Sequence, residues 1–241
     1  MEYKGSTVYD NNEFCDQYIA RRHRDESPNK LIENPALFNL LGDVKGLNVL
    51  DLGCGDASIG HELLKLECST YLGIDGSRNM CERAAKKLKG TNGSVMQSTL
   101  EDYEYPVDVF DVVVSQLVLH YIENVDELAE KVYRSLKPGG KFVFSVLHPV
   151  MTASFKSMTG KRSDWIVDDY FQTGRRVEPW IGEKVVKYHR TIEDYFLLLQ
   201  HSGFTIQGLR EGTPLKENFQ DSAEYERRKR IPLFLLFSCE K

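Results

Sequence analysis

No long apolar run interrupts this sequence. The longest, "LFLLF" at residues 233–237, falls far short of the roughly 20 residues that span a bilayer, so no membrane segment is expected. The opening stretch "MEYKGSTVYDNNEF" has no apolar centre, so no secretory signal is expected either. No C-x-x-C pair occurs among Cys15, Cys54, Cys68, Cys81 and Cys239. That excludes the usual zinc spacing, and no metal is expected. An odd, scattered set of thiols fits reduced cysteines in a cytoplasmic protein better than a disulfide framework. Excess positive charge is also missing. The formal net charge of -5 would draw the chain to neither nucleic acid nor an anionic membrane surface. Repeats, low-complexity tracts and a clear interdomain linker are absent as well.

What is present is enough chain for one sizeable core: 241 residues, 41% of them hydrophobic, expected to form a single domain. Seven short segments have strand character: "LNVLDLG", "STYLGID", "GSVMQS", "FDVVVSQ", "KFVFSVL", "FTIQGLR" and "LFLLFSC". Several are nearly continuous apolar runs, as in strands buried on both faces of a parallel sheet. Helix-length amphipathic segments separate the first five. In "VDELAEKVYRSL", Val125, Leu128, Ala129, Val132 and Leu136 share one helical face. "KPGG" then breaks the helix and turns into the next strand. The alternation predicts an α/β fold, a doubly wound and mostly parallel seven-stranded sheet of Rossmann-like type with helices on both faces. Residues 46–148 form its core. Residues 1–45 are expected as an N-terminal helical cap. Residues 149–188, of weak periodicity, are expected as an inserted lid, and 189–241 as a helix and the last two strands.

The chemistry concentrates at "VLDLGCGDAS", residues 49–58. A buried strand stops on Asp51, and Gly53 and Gly55 follow before a helix. Glycines there permit a sharp turn and close approach of a ligand to backbone N–H groups at a helix start. The next strand ends in "GIDGS", and Asp75 stands about twenty residues past the glycines, where an acid takes both hydroxyls of a ribose. Two successive strand ends then converge on one nucleoside. The dinucleotide pattern G-x-G-x-x-G is broken, because "GCGDAS" places Ser58 at the third glycine. Asp51 would also meet a pyrophosphate with an unwelcome negative charge. An acid there suits a cationic ligand such as a sulfonium carrying an ammonium group.

On these residues the sequence resembles the class I S-adenosylmethionine-dependent methyltransferases, in particular the small-molecule group. The likeness runs through "VLDLGCGDA", "GIDGSRNM", "STLEDYEY", "FDVVVSQLVLHYI" and "SLKPGGKFVFSV", in family order, over residues 47–146. Ala57 stands where the family often has a third glycine. Thr99 stands where many members have an acid beside the adenine. The resemblance implies S-adenosylmethionine as cofactor. Asp51, Gly53 and Gly55 would line its methionine end, and Asp75 would hold the ribose with Gly76 and Met80 beside the adenine. Leu100 and Glu101 would meet the adenine rim, and Gln116 would close the site. His120 and Tyr121 would stand near the transferring methyl. Many relatives send a tyrosine or arginine from an N-terminal helix to the cofactor carboxylate, which points to Tyr18 and Arg22.

Other residues keep two readings. His120 is either the first candidate general base or a packed core histidine, and His148 is the second candidate on the same terms. His189 and Arg190 either face the acceptor or form a solvated helix start, with Thr191 and Asp194 as a capping-box-like pair. Trp165, Trp180, Phe155, Tyr170 and Phe171 either line an acceptor cavity or pack the insert onto the core. The expected partner is a small-molecule acceptor, with the protein a monomer or homodimer. The competing functions are a nicotinamide-dependent oxidoreductase, which shares the glycine corner, and a non-enzymatic S-adenosylmethionine-binding protein.

Overall fold

The computed structural model describes residues 2–156 and 164–241. The chain opens with β1 (Glu2–Lys4), a 3-10 turn over Gly5–Asp10 and α1 (Asn12–Arg22). A π-helical turn, Asn29–Glu33, runs straight into α2 (Asn34–Leu41). The alternating core follows: β2 (Asn48–Leu52), α3 (Ser58–Lys65), β3 (Thr70–Asp75), α4 (Arg78–Leu88), β4 (Gly93–Gln97) and β5 (Phe110–Gln116). A 3-10 turn at Leu119–Tyr121 leads to α5 (Val125–Ser135) and β6 (Leu136–Leu147). Next come α6 (Pro149–Ala153), the hairpin β7 (Gly174–Trp180) and β8 (Glu183–His189), then α7 (Ile192–His201) and β9 (Thr205–Arg210). The chain finishes with α8 (Ser222–Arg228) and β10 (Phe234–Glu240).

The seven strands expected from sequence form one sheet in the order β4-β3-β2-β5-β6-β10-β9. Every pair from β4 to β6 is parallel, and β10 runs antiparallel to both its neighbours. Strand order reverses between β2 and β5, so the crevice of an open α/β sheet lies at their C-terminal ends. The two faces bury separate cores. Leu50, Val113, Phe142 and Phe144 pack toward α5 and α7 with Tyr195 and Leu199. Val49, Val112 and Val114 pack on the opposite face with Leu37, Leu63 and Ala84. Each such side chain contributes about 1.5–3 kcal/mol of burial, which makes the strand ends a firm frame for a site. α5 buries Val125, Leu128, Ala129 and Val132, as its periodicity predicts. Leu136 belongs instead to β6, and "KPGG" lies within that long strand, with Gly139 at φ 77.

Three features differ from the sequence reading. The first 45 residues are not all helical, because β1 precedes the cap. The expected lid contains β7 and most of β8; its residues 157–163 lie outside the described residues. The third is that these pieces make a second sheet, in the order β1-β8-β7, with Tyr3 opposite Val185 and Val177 opposite Val186. It encloses a small core of Val8, Phe14 and Val185, edged by Tyr9, Tyr18 and Trp180. β8 is hard to see in sequence because it buries Lys187 and His189 beside its valines, which erases the polar–apolar alternation. Among the described residues no helix is long and apolar enough to cross a membrane.

Candidate functional site

A cavity of about 330 Å³ opens over the C-terminal ends of β2, β3 and β5. Its floor is Gly53, Gly55, Asp75 and Gly76, and its far wall Met80, Leu100 and Glu101. Gln116, Leu117, Val118 and Tyr121 close the other end. The roof is the N-terminal segment, Lys4 to Thr7 with Tyr9, together with Tyr18 of α1. A narrow recess continues from it between Tyr18, Arg22, Asp51, Gly53 and Gln116. The cofactor-binding residues expected from sequence therefore gather around this cavity and the adjoining recess.

The floor depends on glycine. Gly53 has φ 71, and a Cβ on it would come within 2.4 Å of Val118 Cγ2. Its N–H and that of Cys54 both donate to the Ile74 carbonyl, which ties the β2 turn to the end of β3. Asp75 braces the same turn by accepting from Gly55 N–H at 2.9 Å, and its other oxygen accepts from Ser77 N–H at the start of α4 at 2.8 Å. Ser77, not Asp75, caps α4 through its hydroxyl. Burial pushes the Asp75 carboxyl up to about 6 against those two hydrogen bonds.

Asp51 sits deeper. Its Oδ2 accepts from the Tyr71 hydroxyl at 2.6 Å, while its buried Oδ1 has no partner. Burial pushes this carboxyl up to about 7, against the Tyr71 hydrogen bond and the Arg22 charge. The arrangement is one open acceptor beside a carboxylate that a cationic donor would stabilise. Facing it, Arg22 donates to the Tyr18 hydroxyl at 3.2 Å and to Gln116 Oε1. Burial works against the guanidinium charge, but Tyr18, Glu33 and Asp56 outweigh it and hold Arg22 above its ordinary value.

The adenine-side turn is self-contained. The Thr99 hydroxyl donates to Asp102 at 2.6 Å and accepts from the Asp102 N–H. At the opposite end Tyr121 reaches the cavity and shares a hydrogen bond with Tyr9, and burial raises both phenols well above their ordinary value.

None of His120, His148, His189 and Arg190 lines the cavity. His120 is buried in the 3-10 turn, outside the cavity, its ring 4.4 Å from that of Tyr121. Its Nδ1 has no partner, and burial, with Lys187 and Arg190 nearby, pushes its pKa well down. Leu117, with φ 60, directly follows β5. Val118 and Tyr121 then face the crevice and His120 faces away. His148 caps α6, accepting from Val150 N–H at 3.2 Å, with Nε2 3.1 Å from Glu211. His189 uses both nitrogens, on the Thr152 hydroxyl and the Tyr170 carbonyl, each at 2.8 Å. Arg190 donates to the carbonyls of Leu119, Ile122 and Glu123; it clamps the turn that carries Tyr121. Thr191 and Asp194 do form a capping box. None of the five aromatic lid residues lines the cavity. Phe171 is 86% exposed, Trp165 bonds the Val150 carbonyl, and Trp180 packs edge-on behind Tyr9 and Tyr18.

Sequence reasoning missed the roof, Lys4 to Tyr9, because "KGSTVY" has no periodicity. It also missed the rim, where Lys4 lies 4.0 Å from Glu123 and the Tyr188 hydroxyl donates to Glu123 at 2.8 Å. Glu33, buried beneath Arg22 and Gln116, left no signal beyond a lone acid in "NKLIENP".

A methyltransferase domain family matches residues 50–144. The chain is 32% identical over 219 residues to an uncharacterized protein of Haemophilus influenzae, covering 85% of each. It is 24% identical over 162 residues to the mitochondrial ubiquinone biosynthesis O-methyltransferase of Dictyostelium discoideum, covering 62% of this chain and 49% of that one. Its fold matches the crystal structure of an S-adenosylmethionine-dependent methyltransferase from Mesorhizobium loti with a TM-score of 0.82. Identity to that protein is 33%, over 90% of this chain and 99% of the other.

Proposed function

The chain belongs to the S-adenosylmethionine-dependent methyltransferases, and from that membership we propose that its acceptor is a small molecule entering beside Lys4, Glu123 and Tyr188. The observation that carries the cofactor placement is the partnerless Oδ1 of Asp51, buried in the recess that Arg22 faces. That oxygen fits an ammonium group, and the Arg22 guanidinium with the Tyr18 hydroxyl fits a carboxylate. Asp75 fits ribose hydroxyls, since each of its oxygens keeps acceptor capacity beyond its one backbone bond. Met80 and Leu100 supply a buried apolar wall for adenine, with Gly76 leaving room below and Glu101 at the rim.

Bound, S-adenosylmethionine supplies an electrophilic methyl on a sulfonium. The protein's part is to align and to exclude water. Gly53 brings backbone against the ligand, and Asp51 and Asp75 balance its positive charge. The roof of Lys4 to Tyr9 covers the site, and Tyr121 with Tyr9 offers hydroxyls where the acceptor would lie. No histidine among the described residues lines the cavity, so His120 and His148 are not carried forward as bases. This favours an acceptor whose nucleophile is ready without prior proton removal by an imidazole. The enclosed, tyrosine-lined end supports a small acceptor, as does the ubiquinone-pathway O-methyltransferase among the relatives.

Two measurements test the reading. Titration calorimetry should show S-adenosylhomocysteine binding, with NAD and NADP inert. Labelled methyl transfer in a small-metabolite extract should then yield a methylated product. Binding of NAD alone would overturn it.

A further inference from the structure

We propose that Glu33 is a positioning residue that aims Arg22 and Gln116 at the amino-acid end of the cofactor. The proposal rests on the cofactor placement given above. Glu33 ends the π-helical turn before α2, and π-turns are often associated with functional sites. It is fully buried, where a carboxylate survives only with well-made partners. It has them from three directions. Gln116 Nε2 donates to its Oε2 at 2.5 Å, Asn29 donates to the same oxygen at 3.3 Å, and the Ser145 hydroxyl of β6 donates to Oε1.

The consequence falls on Gln116. Burial outweighs Arg22 and these donors and raises the Glu33 carboxyl from its ordinary value; in its ionised form it accepts only. Gln116 must therefore turn its amide nitrogen to Glu33, where that nitrogen also donates to Asn34 Oδ1 at 2.6 Å. Its Oε1 is left pointing at Arg22, and it accepts from the guanidinium. Reversing the amide would set a carbonyl against a carboxylate and an N–H₂ against a guanidinium. Glu33 thus fixes the orientation of one cavity residue and, through it, the guanidinium that faces Asp51. A second arm reaches Leu117. Ser145 Oγ, anchored on Glu33, accepts from the Leu117 N–H at 3.1 Å, which steadies the left-handed residue where the cavity closes. Glu33 itself does not line the cavity.

A role of this kind is selective. It bears on ligands that carry the amino-acid end and not on the nucleoside alone. The experiment is calorimetric titration of S-adenosylhomocysteine and of 5′-methylthioadenosine, which lacks the amino acid, into wild type and Glu33→Gln. The expected result is about tenfold weaker S-adenosylhomocysteine binding, with methylthioadenosine affinity changed less than about twofold. In an Arg22→Lys background the Glu33→Gln effect should shrink, because the two act through one path. If Glu33→Gln does not fold, Ser145→Ala, which removes one of the carboxylate's donors, should show the same selectivity at smaller size. Equal losses for both ligands would make Glu33 a support of the fold alone and overturn the proposal, as would unchanged S-adenosylhomocysteine binding. Wild type binding neither ligand would overturn the cofactor placement itself, and this proposal with it.

Discussion

The Tyr71 hydroxyl donates to Asp51 Oδ2 at 2.6 Å and leaves Oδ1 buried without a partner. A carboxylate half satisfied in this way is costly to ionise until a cation arrives, and burial accordingly holds its pKa near 7.

Cofactor binding should therefore tighten as pH rises from about 5 to 8. Below 7 the free protein holds Asp51 protonated, and the proton must leave before the carboxylate accepts an ammonium; each unit below the pKa costs about tenfold, or 1.36 kcal/mol. S-adenosylhomocysteine titrations at several pH values should show this slope flattening above pH 7, and Asp51→Asn should reduce it to the part below about pH 6 that Asp75 contributes. A flat profile in wild type would remove Asp51 from the ammonium site.

The same two acids make stability without ligand depend on pH in a stated direction. Asp51 and Asp75, raised to about 7 and about 6, bind protons in the folded state that the unfolded chain has already lost. Their contribution is complete below about pH 4 and is lost as pH rises toward 7. Asp56 runs the other way. Burial opposes its charge, but Lys87, Ser58 and His23 outweigh burial and hold it down at about 2, so its contribution is lost below about pH 4. Thermal melting without ligand should show Asp51→Asn flattening the decline between pH 4 and 7.

Asp75→Asn should weaken S-adenosylhomocysteine binding by about 10- to 100-fold, since charge-assisted bonds of about 1.5–3 kcal/mol each are at stake, less what water recovers. It also loses one of its two backbone bonds, to Gly55 in the glycine turn or to Ser77 at the start of α4, so melting should fall modestly. Unchanged affinity would leave Asp75 as a brace only.

Arg190→Ala should abolish or strongly reduce methyl transfer and destabilise the protein by about 2 kcal/mol, while leaving cofactor affinity nearly intact. Its three carbonyl acceptors hold the turn that presents Tyr121, whereas the cofactor floor lies on β2 and β3. Chemical denaturation and titration on the same sample separate the effects. A large affinity loss would show that the turn belongs to the cofactor's end of the cavity.

Ala57→Gly should stabilise the protein by about 0.5–1 kcal/mol. Ala57 is buried with φ 54, a conformation costing a non-glycine residue roughly 1–2 kcal/mol, less the added unfolded-state entropy of glycine. Urea denaturation gives the sign directly, and a destabilised variant would show that packing of the methyl outweighs backbone strain.

The main sheet was legible because its strands are apolar runs punctuated by glycine, and a parallel sheet buries both faces. The cofactor corner was legible because Asp51, Gly53 and Asp75 are residue types whose chemistry is specific at that spacing. The second sheet was not, because Glu178, Lys187 and His189 are buried charged or polar residues in short strands, and a pattern reading sends such residues to the surface. His120, which the sequence left as either a base or a packed core histidine, lies off the cavity. A left-handed residue, Leu117, stands between β5 and the 3-10 turn that holds His120, and composition carries no trace of a sign change in φ. Glu33 acquires its role only through Gln116 and Ser145, which lie 83 and 112 positions further along the chain.

The pairing of β1 with β8 joins Glu2 to Lys184 and Lys4 to Val186, residues 182 positions apart. During synthesis the first residues leave the ribosome with no strand to pair with, and none exists until residue 186 has followed them. The sheet that bears the glycine turn has its first five strands in hand well before then. The pocket is thus roofed late, by residues made before its floor, and a chain halted short of β8 would carry a formed floor under an open sky.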